Sequence, residues 1–241
     1  MPAFVGTVRR LLSTAQDETD FTNVRFGRYG ELIEHPLTVG AYANSMQGNY
    51  FKASNPTPNT GILASVQTTF SATNGLLLLE AASAGADRQV VVDYIRLIVV
   101  GPGTGTTRVD ALVAIDNIPR FSSGGSLITN VNSNMDSGTG YSSRLRFGAL
   151  TLVAEGASVR RLSRFVLRDA IYQARQEFII TFGRDSLSYQ SQTLVTATAD
   201  RYLVDAGPII IGTGDSFVLH VWKPAQATAE DFEFEIGWWE L

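Results

Sequence analysis

The chain has 241 residues and a net charge of −4, with 44% hydrophobic and only 17% charged residues. It contains no cysteine, which excludes disulfides and thiolate metal sites, and its slightly acidic balance argues against a dedicated nucleic-acid-binding protein. Because charged residues usually make up about a quarter of a globular protein, this low share predicts a surface partly covered by other subunits. No apolar run approaches the ~18 residues of a membrane helix, and no signal-peptide pattern is present, so we expect a soluble, unprocessed protein.

Residues 1–30 differ from the rest of the chain and are interpreted as an N-terminal arm. Apolar residues between Phe4 and Ala15 stand at helical spacing, which is compatible with a short amphipathic helix over Ala3–Gln16. Two placements stay open: the arm lies on a neighbouring subunit, or the helix packs on the protein's own sheet. Residues 31–241 are interpreted as one domain, since β-sandwiches of this length are commonly single units.

After the arm, the sequence consists of short apolar runs separated by turn residues, which is typical of β-strands. Pro36 and the segment Asn55–Gly61 are breakers that cannot lie in a central strand. About eight to ten strands with uneven connections predict an all-β fold, a jelly-roll-like two-sheet β-sandwich. The predicted strands are Tyr50–Lys52, Leu76–Leu79, Arg88–Val100, Arg108–Asn117, Arg144–Val153, Phe178–Phe182, Tyr202–Val204, Pro208–Ile211, Ser216–Trp222 and Phe232–Trp238.

Arg88–Val100 is the longest predicted strand, and it is mainly apolar on both faces. Strict alternation places Val92 and Tyr94 on one face and Asp93 and Ile95 on the other. A strand that is apolar on both faces lies between two layers. We therefore expect this one between two sheets, or between a sheet and a partner subunit.

Several connections are predicted from turn chemistry. Gly101–Thr107 is rich in glycine but lacks the Gly-Lys-Ser/Thr ending of a phosphate-binding loop, so it is interpreted as a hairpin connection. Gly212–Asp215 is likewise interpreted as the turn of a hairpin. Residues 122–142 are rich in serine, glycine and asparagine and predict a long surface loop. Val159–Gln176 fits either a helix or strands, and its β surroundings favour strands.

The C-terminal segment Asp231–Leu241 alternates acidic and apolar residues and then carries Trp238 and Trp239. Alternation at period two predicts a strand with one buried face. Two large aromatic rings would be of little use on a frayed end. We therefore expect this terminus to be stitched into a sheet or into an intersubunit contact.

The sequence carries no recognisable catalytic or metal-binding motif. Its two histidines, His35 and His220, lack metal-ligand spacing, and His220 is interpreted as a packed or interfacial residue. Glu233 and Glu235 lie on one face of a strand about 7 Å apart, a spacing tolerable for a glycosidase pair. Asp231 extends the same row, which indicates a solvated or ion-paired acidic face. We predict no enzymatic activity, no cofactor and no metal.

One dense basic group comprises Arg160, Arg161, Arg164, Arg168 and Arg175. Apart from a single phenylalanine, this group lacks the interleaved aromatic residues on which nucleic-acid bases stack. We therefore predict that these arginines pair with the acidic row of the last strand, within one chain or between subunits.

A set of turn and strand motifs occurs along the chain: Gly27–Glu31, Gly48–Phe51, Asn55–Ile62, Gly214–Ser216, Leu219–Trp222 and Phe232–Glu240. From about Arg25 onward, they resemble a family of virion structural proteins encoded by tailed bacteriophages. The resemblance implies a jelly-roll decoration or cement protein on the capsid exterior of the virion, assembled in the host cytoplasm. Its implied partners are itself, as a homotrimer, and the phage major capsid protein, without a membrane or specific nucleic acid.

Two other functions stay open. A jelly-roll major capsid protein would build the shell itself, and a tail or receptor-binding module would hold carbohydrate on Tyr141, Tyr172 and Tyr189. For a decoration protein, the arm, one arginine of the basic group and the tryptophans are the candidate contacts with other subunits. These candidate interaction residues are Phe4, Arg9, Arg10, Arg25, Arg28, Arg164, Trp222, Trp238 and Trp239.

Overall fold

The computed structural model describes residues 45–81, 88–101, 108–169, 176–183, 201–224 and 231–241. These residues form fourteen β-strands in two sheets, which pack face to face as a β-sandwich around one main core. The predicted all-β sandwich is therefore confirmed. The predicted arm, its helix and the division at residue 30 lie outside the described residues, and the compact unit that holds the sandwich spans Asn44–Leu241.

Sheet I has eight strands and sheet II has six. The strands of sheet I are β1 (Tyr50–Ser54), β2 (Ile62–Leu63), β4 (Val90–Gly101), β7 (Val131–Asn132), β10 (Glu177–Phe182), β11 (Arg201–Ala206), β12 (Ile209–Ile211) and β14 (Asp231–Glu240). The strands of sheet II are β3 (Asn74–Glu80), β5 (Arg108–Asp116), β6 (Phe121–Ile128), β8 (Arg144–Leu152), β9 (Arg160–Asp169) and β13 (Ser216–Trp222).

Eight principal strands follow the order of a jelly roll. Sheet I contains the path β1-β14-β4-β10, and sheet II contains the path β3-β13-β5-β9. All neighbours along these two paths are antiparallel. The chain changes sheet at nearly every step between principal strands, so each sheet interleaves early and late parts of the sequence. Two sheets of four interleaved antiparallel strands are the architecture of the jelly roll.

Both hairpin predictions are wrong. β4 lies in sheet I and β5 in sheet II, so the connection Gly101–Thr107 joins two sheets and not two paired strands. The turn Gly212–Asp215 likewise joins β12 of sheet I to β13 of sheet II. Glycine-rich turn chemistry predicts a reversal of the chain, but it does not tell whether the next strand pairs with the last one. In a jelly roll, consecutive strands mostly belong to opposite sheets.

The prediction of a long loop over residues 122–142 is wrong in its first half. Strand β6 covers Phe121–Ile128 and pairs with β8 at the edge of sheet II, and the short β7 pairs with β1. Most side chains of β6 are exposed, and Gly124 and Gly125 have φ angles of 76° and 61° at an irregular point of the ladder. An edge strand of exposed serine and glycine lacks the apolar alternation that reveals a strand in a sequence.

The strand interpretation of Val159–Gln176 is confirmed for Arg160–Asp169, which forms β9 at the other edge of sheet II. Residues 170–175 lie outside the described residues. Two irregularities in the pairing of β9 with β5 explain why helical spacing also fitted this segment. Each irregularity adds one residue to the strand, so its face pattern departs from a strict period of two.

A bulge in β4 changes which residues face the core. Gly237 of β14 pairs with Tyr94, whereas the next residue of β14 pairs with Val92, so Asp93 is the extra residue. Val92 and Ile95 are both buried in the core between the sheets. The predicted faces of this strand are therefore wrong beyond Asp93, because a bulge shifts the alternation by one residue. The expected layer is confirmed on the face of the strand that packs on sheet II, and a partner subunit on the other face stays a prediction.

The predicted incorporation of the C-terminal segment into a sheet is confirmed. β14 lies in the middle of sheet I: β4 pairs with it along its whole length on one side, and on the other side β1 pairs with Glu235–Trp239 and β2 with Asp231 and Phe232. Leu241 and Gln89 then exchange two backbone hydrogen bonds of 2.9 Å each. Trp238 and Phe232 of this strand are fully buried in the core. The last strand of the chain therefore holds the sheet together and does not fray.

Gly237 permits the close packing of two tyrosines on the outer face of sheet I. A Cβ atom there would lie 2.3 Å from the hydroxyl oxygen of Tyr50 and 2.6 Å from Cε1 of Tyr94. Tyr50 is held in place because its hydroxyl donates a hydrogen bond of 2.8 Å to the buried Asp93. We therefore expect Gly237→Ala to lower the free energy of unfolding by about 1–3 kcal/mol, because an extra methyl group in a well-packed site forces its neighbours to move. Urea denaturation measures the loss.

Gly207→Ala is the matched control for this substitution. Among the described residues, no heavy atom lies within 4 Å of a Cβ built at Gly207. The control should therefore stay within about 0.5 kcal/mol of the parent protein. Equal losses in the two variants would show that the tyrosine packing around Gly237 is not the cause.

Candidate interaction surfaces

The one histidine that the structure describes is a buried residue packed in the protein interior. His220 is 1% exposed, and its Nδ1 donates to the carbonyl oxygen of Asn74 at 2.7 Å. Burial lowers the pKa of His220, and the ring of Phe70 packs edge-on against it at 5.3 Å. The interpretation as a packed residue is confirmed.

Within the described ranges, no group of three or more metal-binding side chains occurs, and no helix is long and apolar enough to cross a membrane.

Asparagine side chains build one end of the sandwich from a loop and a turn. In the tip loop (residues 129–143), Asn132 Nδ2 donates to the carbonyl oxygens of Gly48 and Thr139 at 2.7 and 3.2 Å. Asn134 Nδ2 donates to the carbonyl oxygen of Met46 at 3.2 Å. These bonds extend the short backbone pairing of β7 with β1 beyond its two residue pairs. The loop is thereby fixed to the turn that precedes β1.

A buried carboxylate fixes the far end of the tip loop. Glu240 is 2% exposed and accepts hydrogen bonds from the backbone and hydroxyl of Ser142, at 2.7 Å each. Ser143 donates in the same two ways at 3.1 and 2.6 Å, and the indole of Trp238 adds a bond of 3.2 Å. Burial alone raises the pKa of Glu240, but the hydrogen bonds from Ser143, Ser142 and Trp238 outweigh it, so the pKa is lowered.

This fixed frame presents apolar side chains to solvent. We call these side chains the tip surface: Met46, Val131, Met135 and Tyr141, which are 66%, 55%, 97% and 50% exposed. Hydrogen bonds tie the segment of Met46 directly to the segment of Met135. Methionine side chains are flexible and polarizable, so they suit contact with another protein. The tip surface is therefore the strongest candidate contact for a partner on this domain.

The acidic row of β14 pairs with neighbours in its own sheet. Glu235 lies 3.6 Å from Lys52 and 3.6 Å from Arg96, and it accepts a hydrogen bond from Tyr94. Arg96 also pairs with Glu177 of β10. These groups form a charged network on the outer face of sheet I. The acidic face is therefore at least partly ion-paired, as the sequence predicted.

The predicted partner of the acidic row is nevertheless wrong within one chain. Arg161 pairs with Glu155 at 2.6 Å, and Arg164 lies 3.5 Å from Asp110. Arg160, Arg161, Arg164 and Arg168 belong to β9 of sheet II and the acidic row belongs to sheet I, so the sandwich itself separates them, and Arg175 lies outside the described residues. Sequence spacing cannot reveal this, because the strands that carry the two groups are assigned to sheets only by the fold. Pairing between subunits stays a prediction.

Sheet II carries a groove of about 590 Å³ on its outer face. Its basic side is formed by Arg161 and Arg164, which share a face because Leu162 is an extra residue in the ladder between β9 and β5. The guanidinium of Arg161 lies 4.8 Å from the ring centre of Phe70, and that of Arg164 lies 5.6 Å from the ring centre of Trp222. Each arginine is thus held between an aromatic ring and a carboxylate.

The predicted tryptophans lie in three different environments. Trp238 is fully buried and stacks on Phe51 at 6.3 Å, so it is a core residue. Trp239 points to the other face of the same strand, half-buried beside Tyr50. Trp222 is 7% exposed, and the structure brings it together with Arg164 in the groove.

The other candidate interaction residues lie outside the described residues: Phe4, Arg9, Arg10, Arg25 and Arg28. Of the three tyrosines predicted to hold carbohydrate, Tyr141 is half exposed, and Tyr172 and Tyr189 lie outside the described residues.

A fully buried arginine is an important residue that the sequence did not single out. Arg120 donates to Asp116 Oδ2 at 2.9 Å and to the carbonyl oxygens of Ala72 and Val153 at 2.6 and 2.9 Å. It thereby joins the end of β5, the residues before β3 and the residues after β8. The spacing of four residues between Asp116 and Arg120 suggests an ion pair only on a helix, and here the pair is made by a turn.

Neither a protein family, nor a curated protein, nor a solved structure matches this chain. The fold is therefore established by the strand order, and the resemblance to phage virion proteins rests on the sequence motifs alone.

Proposed function

We propose that this protein is a structural protein of a phage virion, a decoration protein that stands on the outside of the head. In this function it forms a homotrimer and bridges subunits of the major capsid protein. The jelly-roll order of the principal strands supports the proposal, because viral capsid proteins commonly use this fold. Lectins and some enzymes have this fold as well, so the fold alone does not determine the function.

The tip surface is the observation that carries the proposal. Met46 and Met135 are 66% and 97% exposed, although both stand on segments fixed by asparagine hydrogen bonds. An apolar surface on a rigid frame loses little conformational entropy when it binds. On a shell with many copies, even a weak contact of this kind is strengthened because a trimer binds at several points at once.

Self-association is the second part of the proposal. The low share of charged residues and the exposed apolar side chains on several faces suit a protein that contacts its own copies. A closed trimer covers such faces without uncontrolled growth.

The test adds purified protein to emptied, expanded heads of the parent phage from which it has been stripped. We expect it to rebind and to raise the melting temperature of the heads. Met46→Ser combined with Met135→Ser should weaken rebinding by at least about 100-fold, since burying each of the two side chains contributes roughly 1.5–3 kcal/mol. Analytical ultracentrifugation of the free protein measures its oligomeric state, which we expect to be a trimer.

The matched control combines Val153→Ser with Leu162→Ser, which are 43% exposed and lie away from the tip. This control should rebind like the parent protein, and all variants should melt at the same temperature in isolation. Failure of the parent protein to rebind would contradict the proposal. Assembly of closed shells from this chain alone would identify it as the major capsid protein instead.

A further inference from the structure

The groove on the outer face of sheet II has the features of a ligand site and is separate from the tip surface. Its volume of about 590 Å³ lies within the range of small-molecule sites, roughly 300–1,000 Å³. Thr68, Thr69, Arg161 and Arg164 are among the residues that line it. Both threonines are exposed, and the two arginine side chains are 49% and 59% exposed.

The two guanidinium groups are held in position before any ligand binds. Glu155 accepts from Arg161 Nε and Nη2 at 3.2 and 2.6 Å, while the ring of Phe70 lies on the other side. Arg164 is held in the same way between Asp110 and a tryptophan ring. A guanidinium that is already oriented loses little side-chain entropy when it binds a planar carboxylate.

The charges around the groove limit what it can hold. Arg161 and Arg164 supply two positive charges, and Glu155 and Asp110 supply two negative charges, so these four side chains are neutral together. A polyanion gains nothing from such a site at long range and meets the negative charge of Asp110 in its lining. A ligand with a single carboxylate and several hydroxyl groups suits it better.

We infer that this groove binds a carboxylate-bearing sugar unit of a glycan, such as a uronate or a sialate. The carboxylate contacts Arg161 and Arg164, and the hydroxyl groups of the sugar contact Thr68 and Thr69. The apolar face of the ring packs on the aromatic lining at Phe70. This binding activity goes beyond the proposed role on the capsid and does not depend on it.

An acidic peptide is the main rival occupant and is less favoured. Successive acidic side chains would bring several negative charges toward Asp110 and Glu155, which already occupy the neighbourhood of both arginines. A peptide would also have no particular use for two neighbouring threonine hydroxyls. A sugar acid combines one negative charge with many hydroxyl donors and acceptors in one small ring.

The experiment measures binding of digalacturonate and of 3′-sialyllactose to the full chain by isothermal titration calorimetry. We expect at least one of them to bind with a dissociation constant of about 1 mM or below. The dimethyl ester of digalacturonate, or lactose, should bind at least tenfold more weakly. Arg164→Ala and Arg161→Ala should each weaken binding of the acid by about tenfold, as expected for the loss of a charge-assisted hydrogen bond.

Arg160→Ala is the matched control, since Arg160 is exposed on the same strand but does not line this groove. It should bind the acid like the parent protein. Arg164→Lys should give an intermediate loss, because lysine keeps the charge but not the planar fork. Melting temperatures confirm that each variant is folded.

Three results would overturn the inference. The first is no binding of either acid at 10-fold the expected dissociation constant. The second is equal affinity for the acid and its neutral counterpart, or an unchanged affinity in Arg164→Ala. The third is equally tight binding of a hexaglutamate peptide or inorganic phosphate, which would identify a peptide site or a general anion site.

Discussion

Replacing Arg120 with methionine is expected to lower the free energy of unfolding by about 3–5 kcal/mol, the cost of breaking a buried ion pair. Arg120 is fully buried, and Asp116 is 3% exposed. The substitution leaves the Asp116 carboxylate without its charged partner and removes the donors to Ala72 and Val153. Urea denaturation with two-state analysis measures the loss.

A second variant separates the ion pair from the shape of the side chain. Arg120→Met combined with Asp116→Leu removes both charges, so it should lose less stability than the sum of the two single variants. Arg144→Met serves as the control, because Arg144 is exposed and should change stability by less than about 0.5 kcal/mol. A loss below about 1 kcal/mol in Arg120→Met would show that water replaces the arginine without cost.

Arg120 also links the stability of the fold to the groove. It binds the carbonyl oxygen of Ala72, close in sequence to Phe70 in the groove lining. The same segment is held from its other end by Gln67. Its side-chain amide donates to the backbone carbonyl of Val221 at 3.1 Å, and its backbone carbonyl accepts from the backbone N–H of Lys223 at 2.8 Å. The groove-lining segment between Gln67 and Ala72 is therefore fixed at both ends, and the ring of Phe70 in it stays packed on β13.

The main strands could be predicted from the sequence because buried positions in a strand are filled by apolar residues, either in a run or in alternation. Ser216–Trp222 was predicted with its observed bounds, since every residue of this strand is buried and the turn before it is rich in glycine. Asp231–Glu240 likewise alternates acidic and apolar residues over most of its length. In such strands, side-chain chemistry and the face of the sheet agree, so the local pattern is sufficient.

Features that depend on partners far away in the sequence could not be predicted. The bulge at Asp93 is visible only when β4 is paired with β14, more than a hundred residues later. β6 was missed because exposed serine and glycine carry no apolar pattern. The same limit applies to the surfaces: the tip surface depends on Asn132 and Asn134 reaching the turn before β1, and nothing local marks those contacts.

Replacing Glu240 with glutamine is expected to lower the free energy of unfolding by about 2–3 kcal/mol near neutral pH. The carboxylate of Glu240 accepts from the backbone N–H groups of Ser142 and Ser143, from both hydroxyls and from one indole. The amide nitrogen of glutamine is a donor and faces these donors without a bond. Hydrogen bonds to a charged group contribute about 1.5–3 kcal/mol, so the loss of the best of them accounts for the expected effect.

The pH dependence of this loss is the sharper test of the role of Glu240. Its pKa in the folded protein is lowered from the ordinary value of 4.5, so the folded state favours the ionised form. The stabilisation is therefore fully present above about pH 5.5 and is lost as the pH falls through the folded pKa. The difference in the free energy of unfolding between the parent protein and Glu240→Gln should be constant from pH 8 to about 5.5 and should shrink below pH 4.5.

Glu155→Gln is the control, because it alters a surface ion pair, and it should lower the free energy of unfolding by less than about 1 kcal/mol. A difference between the parent protein and Glu240→Gln that stays constant down to pH 3 would mean that the charge of Glu240 does not hold the tip loop.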